Sequence, residues 1–197
     1  MNPVITLQVD DGDEGGGRLK ILDEIGSGAV ARVFKGSLDG QPCAVKVLRS
    51  ISMEQRKTLV REYSVLKKLE HKNIIKVKEF FQSKDSLILE LCGISLNDKY
   101  MVDIKEWSRL CSKKTAALDF QVNQQVLWGL DYLHSKDIIH CDLKPSNCLV
   151  TGDIESPLVK LADFGIAYYQ TMTQTQTQMS QVHKQITISA QQLLYFF

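Results

Sequence analysis

The residues with the clearest chemical potential are His140-Cys141-Asp142-Leu143-Lys144-Pro145-Ser146-Asn147, followed downstream by Asp163-Phe164-Gly165. This short span holds two carboxylates, an amide and a lysine. Carboxylate and amide oxygens are hard donors that can share a divalent cation such as Mg²⁺. That set fits phosphoryl transfer, in which the nucleotide brings the reactive bond and the protein supplies positioning and charge stabilisation. An isolated Asp or Asn more often caps a turn or helix. Here the order and spacing of the whole group argue for chemistry.

The H-x-D-x-K-x-x-N run with the later D-F-G resembles the catalytic loop and metal-binding triad of protein kinases. The K-P-S-N ending resembles the serine/threonine members, and the overall texture looks like their tyrosine-kinase-like branch. The resemblance implies that Asp142 accepts the proton of the substrate hydroxyl and that Lys144 neutralises the γ-phosphate. It implies that Asn147 and Asp163 hold Mg²⁺ between the phosphates of ATP. Cys141 replaces the arginine of the family pattern, which in kinases that have it pairs with a phosphorylated activation loop. Nothing about Cys141 points to thiol chemistry.

Such a loop needs elements to position it. Residues 21–47 alternate as strands do, with turns at Gly26-Ser27-Gly28 and Leu38-Asp39-Gly40-Gln41. Taken alone, Gly26 and Gly28 read as an ordinary hairpin turn. Beside Ala44-Val45-Lys46 the stretch resembles the family's glycine-rich loop, which lets backbone N–H groups approach phosphates. The third glycine of that pattern is Ala31 here. A lysine inside an apolar strand is costly without a charge partner. The partner expected by resemblance is Glu62, on a helix over residues 52–69 whose Leu59, Tyr63, Leu66 and Leu69 share one face. The pair would hold the α- and β-phosphates.

Residues 76–81 and 86–91 read as two further strands. Leu89-Glu90-Leu91-Cys92-Gly93 resembles the segment joining the two lobes of a kinase. Backbone groups of Glu90 and Cys92 would then meet the adenine edge, and Ile25, Val33, Ala44 and Leu149 would cover its faces. On composition alone those apolar residues are plain core. A short helix is expected near residues 103–110. A long one over 118–135 carries Val122, Val126, Leu130 and Leu133 on one stripe. A hairpin of residues 148–150 and 158–161 should present Asp163.

The domain organisation expected is an unstructured acidic, glycine-rich lead over residues 1–18, a small lobe over 19–92, a partial large lobe over 93–169, and a Gln/Thr-rich tail over 170–197. No A-P-E motif follows the D-F-G, so the chain is expected to stop short of the family's remaining large-lobe helices. The apolar surface they would cover is then open to a protein partner. The 197 residues suffice for a real core, and 44% hydrophobic content is ordinary for a globular chain. A formal net charge of +1 gives no basic excess for nucleic acid or an anionic membrane. Residues 1–10 contain no basic residue and do not read as a secretory signal. No apolar run approaches the length of a membrane span. Five scattered cysteines without a C-x-x-C pair fit a reducing, cytoplasmic setting.

The resulting expectation is an α+β, protein-kinase-like fold with a complete small lobe, a twisted antiparallel sheet plus one helix, and a partial helical large lobe. The expected activity is ATP- and Mg²⁺-dependent phosphorylation of protein serine or threonine. The alternative is a nucleotide-binding regulatory or interaction module without turnover, which shares the ATP contacts but lacks the substrate platform. A small-molecule kinase is argued against by D-L-K-P-S-N.

Overall fold

Alternating apolar residues between short turns fold as β2 (Arg18–Ser27), β3 (Ala31–Leu38) and β4 (Gln41–Leu48) in the computed structural model, which describes residues 5–8, 18–50, 52–98, 115–153 and 156–169. Asp39 and Gly40 join β3 to β4 with φ of 50° and 80°. Positive φ at both central residues is the tight hairpin turn whose twist matches its strands. Two more strands, β5 (Val77–Phe81) and β6 (Ser86–Glu90), complete the expected set. An additional edge strand, β1 (Ile5–Gln8), pairs with the start of β2. These four residues, which pair along an open sheet edge, fall within the lead expected to be unstructured over residues 1–18. The antiparallel sheet runs β1-β2-β3-β4-β6-β5.

The register divides this sheet into two faces. One buries Cys43, Val45 and Ile88 with Leu19, Ile21 and Phe81, and Phe34, Leu38 and Val47 pack against them. The pairings Val33↔Lys46, Ala44↔Leu89 and Lys46↔Leu87 put Val33, Ala44, Lys46, Leu87 and Leu89 on the opposite face. There α1 (Met53–Leu66) packs, burying Leu59, Glu62, Val65 and Leu66. Ser52 caps its start by accepting the N–H of Gln55. Tyr63 stacks on Phe80, and Arg56 bonds Asp85 at 2.5 Å, so α1 is tied to the β5–β6 hairpin at two levels.

By contact the chain forms two units. Met1–Lys68 and Lys76–Leu91 make the first; Leu69–Ile75 and Cys92–Phe197 make the second. The segment Leu69–Ile75, placed by the linear division in the small lobe, thus groups with the later residues.

In the second unit α2 (Thr115–His134) buries Val122, Val126 and Leu133. Gly129 allows close approach: a Cβ there would come within 3.0 Å of Leu161 Cδ1 and 3.1 Å of Asn73 O. After α2 come β7 (Ile138–Ile139), the hairpin of β8 (Cys148–Asp153) and β9 (Ser156–Leu161), and β10 (Tyr168–Tyr169), which pairs with β7. Phe120 and Leu127, seven residues apart on α2, are 66% and 63% exposed. Among the described residues no helix is long and apolar enough to cross a membrane. The helix expected near 103–110 and the tail over 170–197 lie outside the described residues.

Candidate active site

In the first unit, the ladder that sets Lys46 on the α1 side of the sheet also decides its partner. Lys46 Nζ bonds Glu62 Oε2 at 2.6 Å, with side chains 15% and 1% exposed. Two charges so removed from water persist because each compensates the other. Val33 and Ala44 share that face, whereas Ile25 is half-exposed where β2 shifts register against β3. Glu90 donates its backbone N–H to Lys76 O at 2.9 Å.

Gly26, paired near the end of β2, and Gly28, in the β2–β3 turn, differ from others in the chain. A Cβ at Gly36 would sit 2.7 Å from Lys20 O, and one at Gly93 would collide with Val150 O. The fold therefore demands glycine at both. At Gly26 and Gly28 a Cβ would meet only ordinary contacts at 3.6 and 3.5 Å, and neither φ is positive. Packing and backbone strain give no reason for glycine there.

In the second unit, β7 delivers the chain to His140, which is 3% exposed. Its Nε2 lies 3.0 Å from Ala162 O, and its Nδ1 accepts the N–H of Asp142 at 3.3 Å. A carbonyl can only accept, so the imidazole is the neutral Nε2–H tautomer. Burial pushes its pKa below the ordinary value, against the Ala162 carbonyl and the charges of Asp163 and Asp142, which favour the cation. The ring packs on Phe164 with centroids 4.6 Å apart.

His140 thereby connects Asp142 to the residue before Asp163. A second strut is Asn147 O, which accepts the N–H of Ala162 at 2.9 Å. Asp142 Oδ2 accepts from Lys144 Nζ at 2.7 Å and from Asn147 Nδ2 at 2.9 Å. Asn147 Nδ2 also donates to Asp142 O at 2.8 Å. Asp163 sits at φ 64°, the left-handed region that non-glycine residues enter at a cost and that recurs at functional sites. Leu149 lies half-buried on β8 and bridges Ser95, while Cys92 is half-buried.

Cys141, at φ 66°, points its thiol at Ile139 O, 3.6 Å away. Burial, with the negative charge of Asp142 adding, pushes its pKa up to about 11, so it stays a thiol at neutral pH. Cys148 is pushed up to about 12 by burial.

Sequence reasoning passed over a buried amide network beneath these residues. Asn73 Nδ2 donates to Gln125 Oε1 at 3.0 Å and to Val159 O at 2.8 Å. Gln125 accepts Val159 N–H at 3.0 Å and donates to Pro157 O at 2.7 Å. Leu161 N–H donates to Asn73 O, and Ile75 N–H to Leu161 O. The network holds β9, and hence the chain entering Asp163, to α2 and the segment 71–75. The available signal was a Gln inside the apolar stripe of α2.

A match to the protein kinase domain covers residues 19–186. Among similar proteins, the probable serine/threonine-protein kinase pXi of Dictyostelium discoideum is 33% identical over 153 residues, 75% of this chain and 21% of that protein. A probable myosin light chain kinase of the same organism is 37% identical over 152 residues, 73% of this chain and 37% of the relative. Serine/threonine-protein kinase 10 of Danio rerio is 32% identical over 158 residues, 78% and 15% of the two chains. The chain thus spans well under half the length of these relatives. With its motifs matched in order across most of its length, the chain belongs to the protein kinase domain family.

Proposed function

We propose that this chain carries a serine/threonine protein kinase site that transfers phosphoryl from Mg-ATP to a protein hydroxyl in the cytoplasm. The observation that carries the reading is the Asp142 carboxylate, oriented through Oδ2 by both Lys144 and Asn147. A base held in this way has little to reorganise when a hydroxyl arrives. Among the described residues no hydrogen bond engages Oδ1, which is the oxygen left to accept the proton.

The residues suit the implied cofactors. Both amide hydrogens of Asn147 go to Asp142, so its remaining functional atom is the Oδ1 carbonyl. That oxygen and the Asp163 carboxylate are the hard ligands Mg²⁺ prefers. Gly26 and Gly28, which the fold does not require as glycine, suit a backbone that phosphates approach. When bound, Mg-ATP supplies the reactive phosphoanhydride and much of the charge neutralisation. Lys46, oriented by Glu62, binds phosphate; Lys144 stabilises charge beside Asp142; Asp142 takes the hydroxyl proton. Glu90 carbonyl, the Cys92 backbone, Ile25, Val33, Ala44 and Leu149 are the proposed adenine contacts.

The test compares the parent with Asp142→Asn and Asp163→Asn in ATP-dependent thermal shift and in transfer to a generic basic protein. Asp142→Asn should cut transfer by about 10²–10⁴ while keeping ATP binding. Asp163→Asn should lose the Mg²⁺ dependence of binding as well. A parent that binds ATP and transfers nothing would favour a regulatory module.

A further inference from the structure

The β2–β3 turn is gripped by a residue outside it. Arg49, one position beyond β4, donates its backbone N–H to Val30 O at 2.9 Å and its Nε to Gly28 O at 2.7 Å. Its Nη2 also bonds Ser27 Oγ. Inside the turn, Gly28 N–H donates to Ala31 O at 2.9 Å. The neighbouring Arg32 is engaged by Glu24, across the ladder. Arg49 therefore spans the turn from Ser27 to Val30.

We propose that Arg49 is a positioning residue for the phosphate-binding turn, holding Ser27-Gly28-Ala29-Val30 in a shape that receives nucleotide before nucleotide arrives. This rests on the kinase reading above. A turn that contains a glycine has many conformations to lose on binding. Bonds that order it beforehand reduce that cost, because apparent affinity scales with the fraction already competent. The grip also has the right polarity. Carbonyl oxygens repel phosphate, and Arg49 engages those of Gly28 and Val30. Its guanidinium adds positive charge at the same place. The planar fork can reach a carbonyl and a hydroxyl together, which an ammonium cannot do with the same geometry.

The test uses the full chain with Arg49→Ala, Arg49→Lys and the milder Ser27→Ala. Amide hydrogen exchange of ligand-free protein reads the grip directly. Exchange over residues 27–31 should accelerate in Arg49→Ala and less so in Ser27→Ala. Affinity for Mg-ATP should fall about tenfold in Arg49→Ala, the scale of one net hydrogen bond. Arg49→Lys should recover only part of the loss. Unchanged exchange in Arg49→Ala would overturn the grip. Accelerated exchange with unchanged Mg-ATP affinity would overturn its role in nucleotide binding. Full recovery by lysine would show that charge alone acts and overturn the fork. A parent that binds no Mg-ATP would instead overturn the kinase reading, and the exchange data would still decide the grip.

Discussion

Asn147 gives both hydrogens of its amide to Asp142, one to the backbone carbonyl at 2.8 Å and one to Oδ2 at 2.9 Å. One side chain thus orients the proposed base and turns its own carbonyl oxygen toward other work. Asn147→Asp keeps the shape but replaces the two donors with acceptors facing acceptors. It should lose about 1–3 kcal/mol of stability, the cost of leaving such groups unsatisfied, and should abolish transfer. Urea unfolding and a transfer assay check the two losses separately. If Asn147→Asp proves as stable as the parent, the orienting role is contradicted.

Lys46 and Glu62 support both stability and the proposed binding role, and two variants separate these. Lys46→Met leaves the nearly buried Glu62 without its lysine and should cost several kcal/mol, about 3 by analogy with other broken buried pairs. Adding Glu62→Leu should restore most of the stability, since an apolar pair can replace a buried ion pair. Mg-ATP should stabilise neither variant as it does the parent. Thermal melts with and without nucleotide provide the measurement; normal nucleotide stabilisation in the double variant would show that the pair is only structural.

The glycines divide by what they contact. Gly36→Ala forces a Cβ toward Lys20 O and Val45 Cγ2, at 2.7 and 2.9 Å, and should cost about 1–3 kcal/mol as overpacking does. Gly28→Ala meets nothing closer than 3.5 Å and should change stability by less than about 0.5 kcal/mol. It should nonetheless weaken Mg-ATP binding. Comparable destabilisation by both variants in denaturant titrations would remove the ligand-based reason for Gly28.

His140 makes stability depend on pH in a definite sense. Its folded pKa is depressed below the ordinary 6.5 by burial. Below about that value the unfolded chain binds a proton that the folded chain resists, so stability rises with pH there. The contribution is complete above 6.5 and is lost as pH falls toward the folded pKa. His71, also depressed by burial, adds in the same direction. Unfolding free energies measured from about pH 5 to 8 should show the slope, and His140→Gln should reduce it; an identical slope in that variant would assign the effect elsewhere.

Cys141 supplies an uncharged thiol, bonded to Ile139 O, where the family pattern has an arginine. It cannot form the charge-assisted pair that an arginine makes with a phosphate. By resemblance to the family, Thr171, Thr173, Thr175, Thr177 and Ser180 lie where kinases carry activation-loop phosphosites, and replacing all five by alanine should therefore leave transfer activity little changed. A large loss in a kinase assay would show that phosphorylation there acts through another contact.

Much of this molecule was legible from local pattern. Alternation and Asp39-Gly40 marked the strands and their hairpin, and the stripe of Val122, Val126 and Leu133 marked α2, because these signals repeat within a few residues. The types and order of Asp142, Lys144, Asn147 and Asp163 pointed to the proposed chemistry for the same reason. Pairings that depend on register between distant strands and helices were not legible by periodicity. The hydrogen-bonded ladder puts Lys46 on the side of the sheet that α1 covers, which is what brings Glu62 to 2.6 Å. The pairing of β1 with β2, the Asn73–Gln125 network and the bonds of Arg49 to the β2–β3 turn likewise join residues separated in sequence. Composition specifies that such polar groups need partners, but only the folded chain decides which partners they find, because burial and distance exist only once the elements have packed.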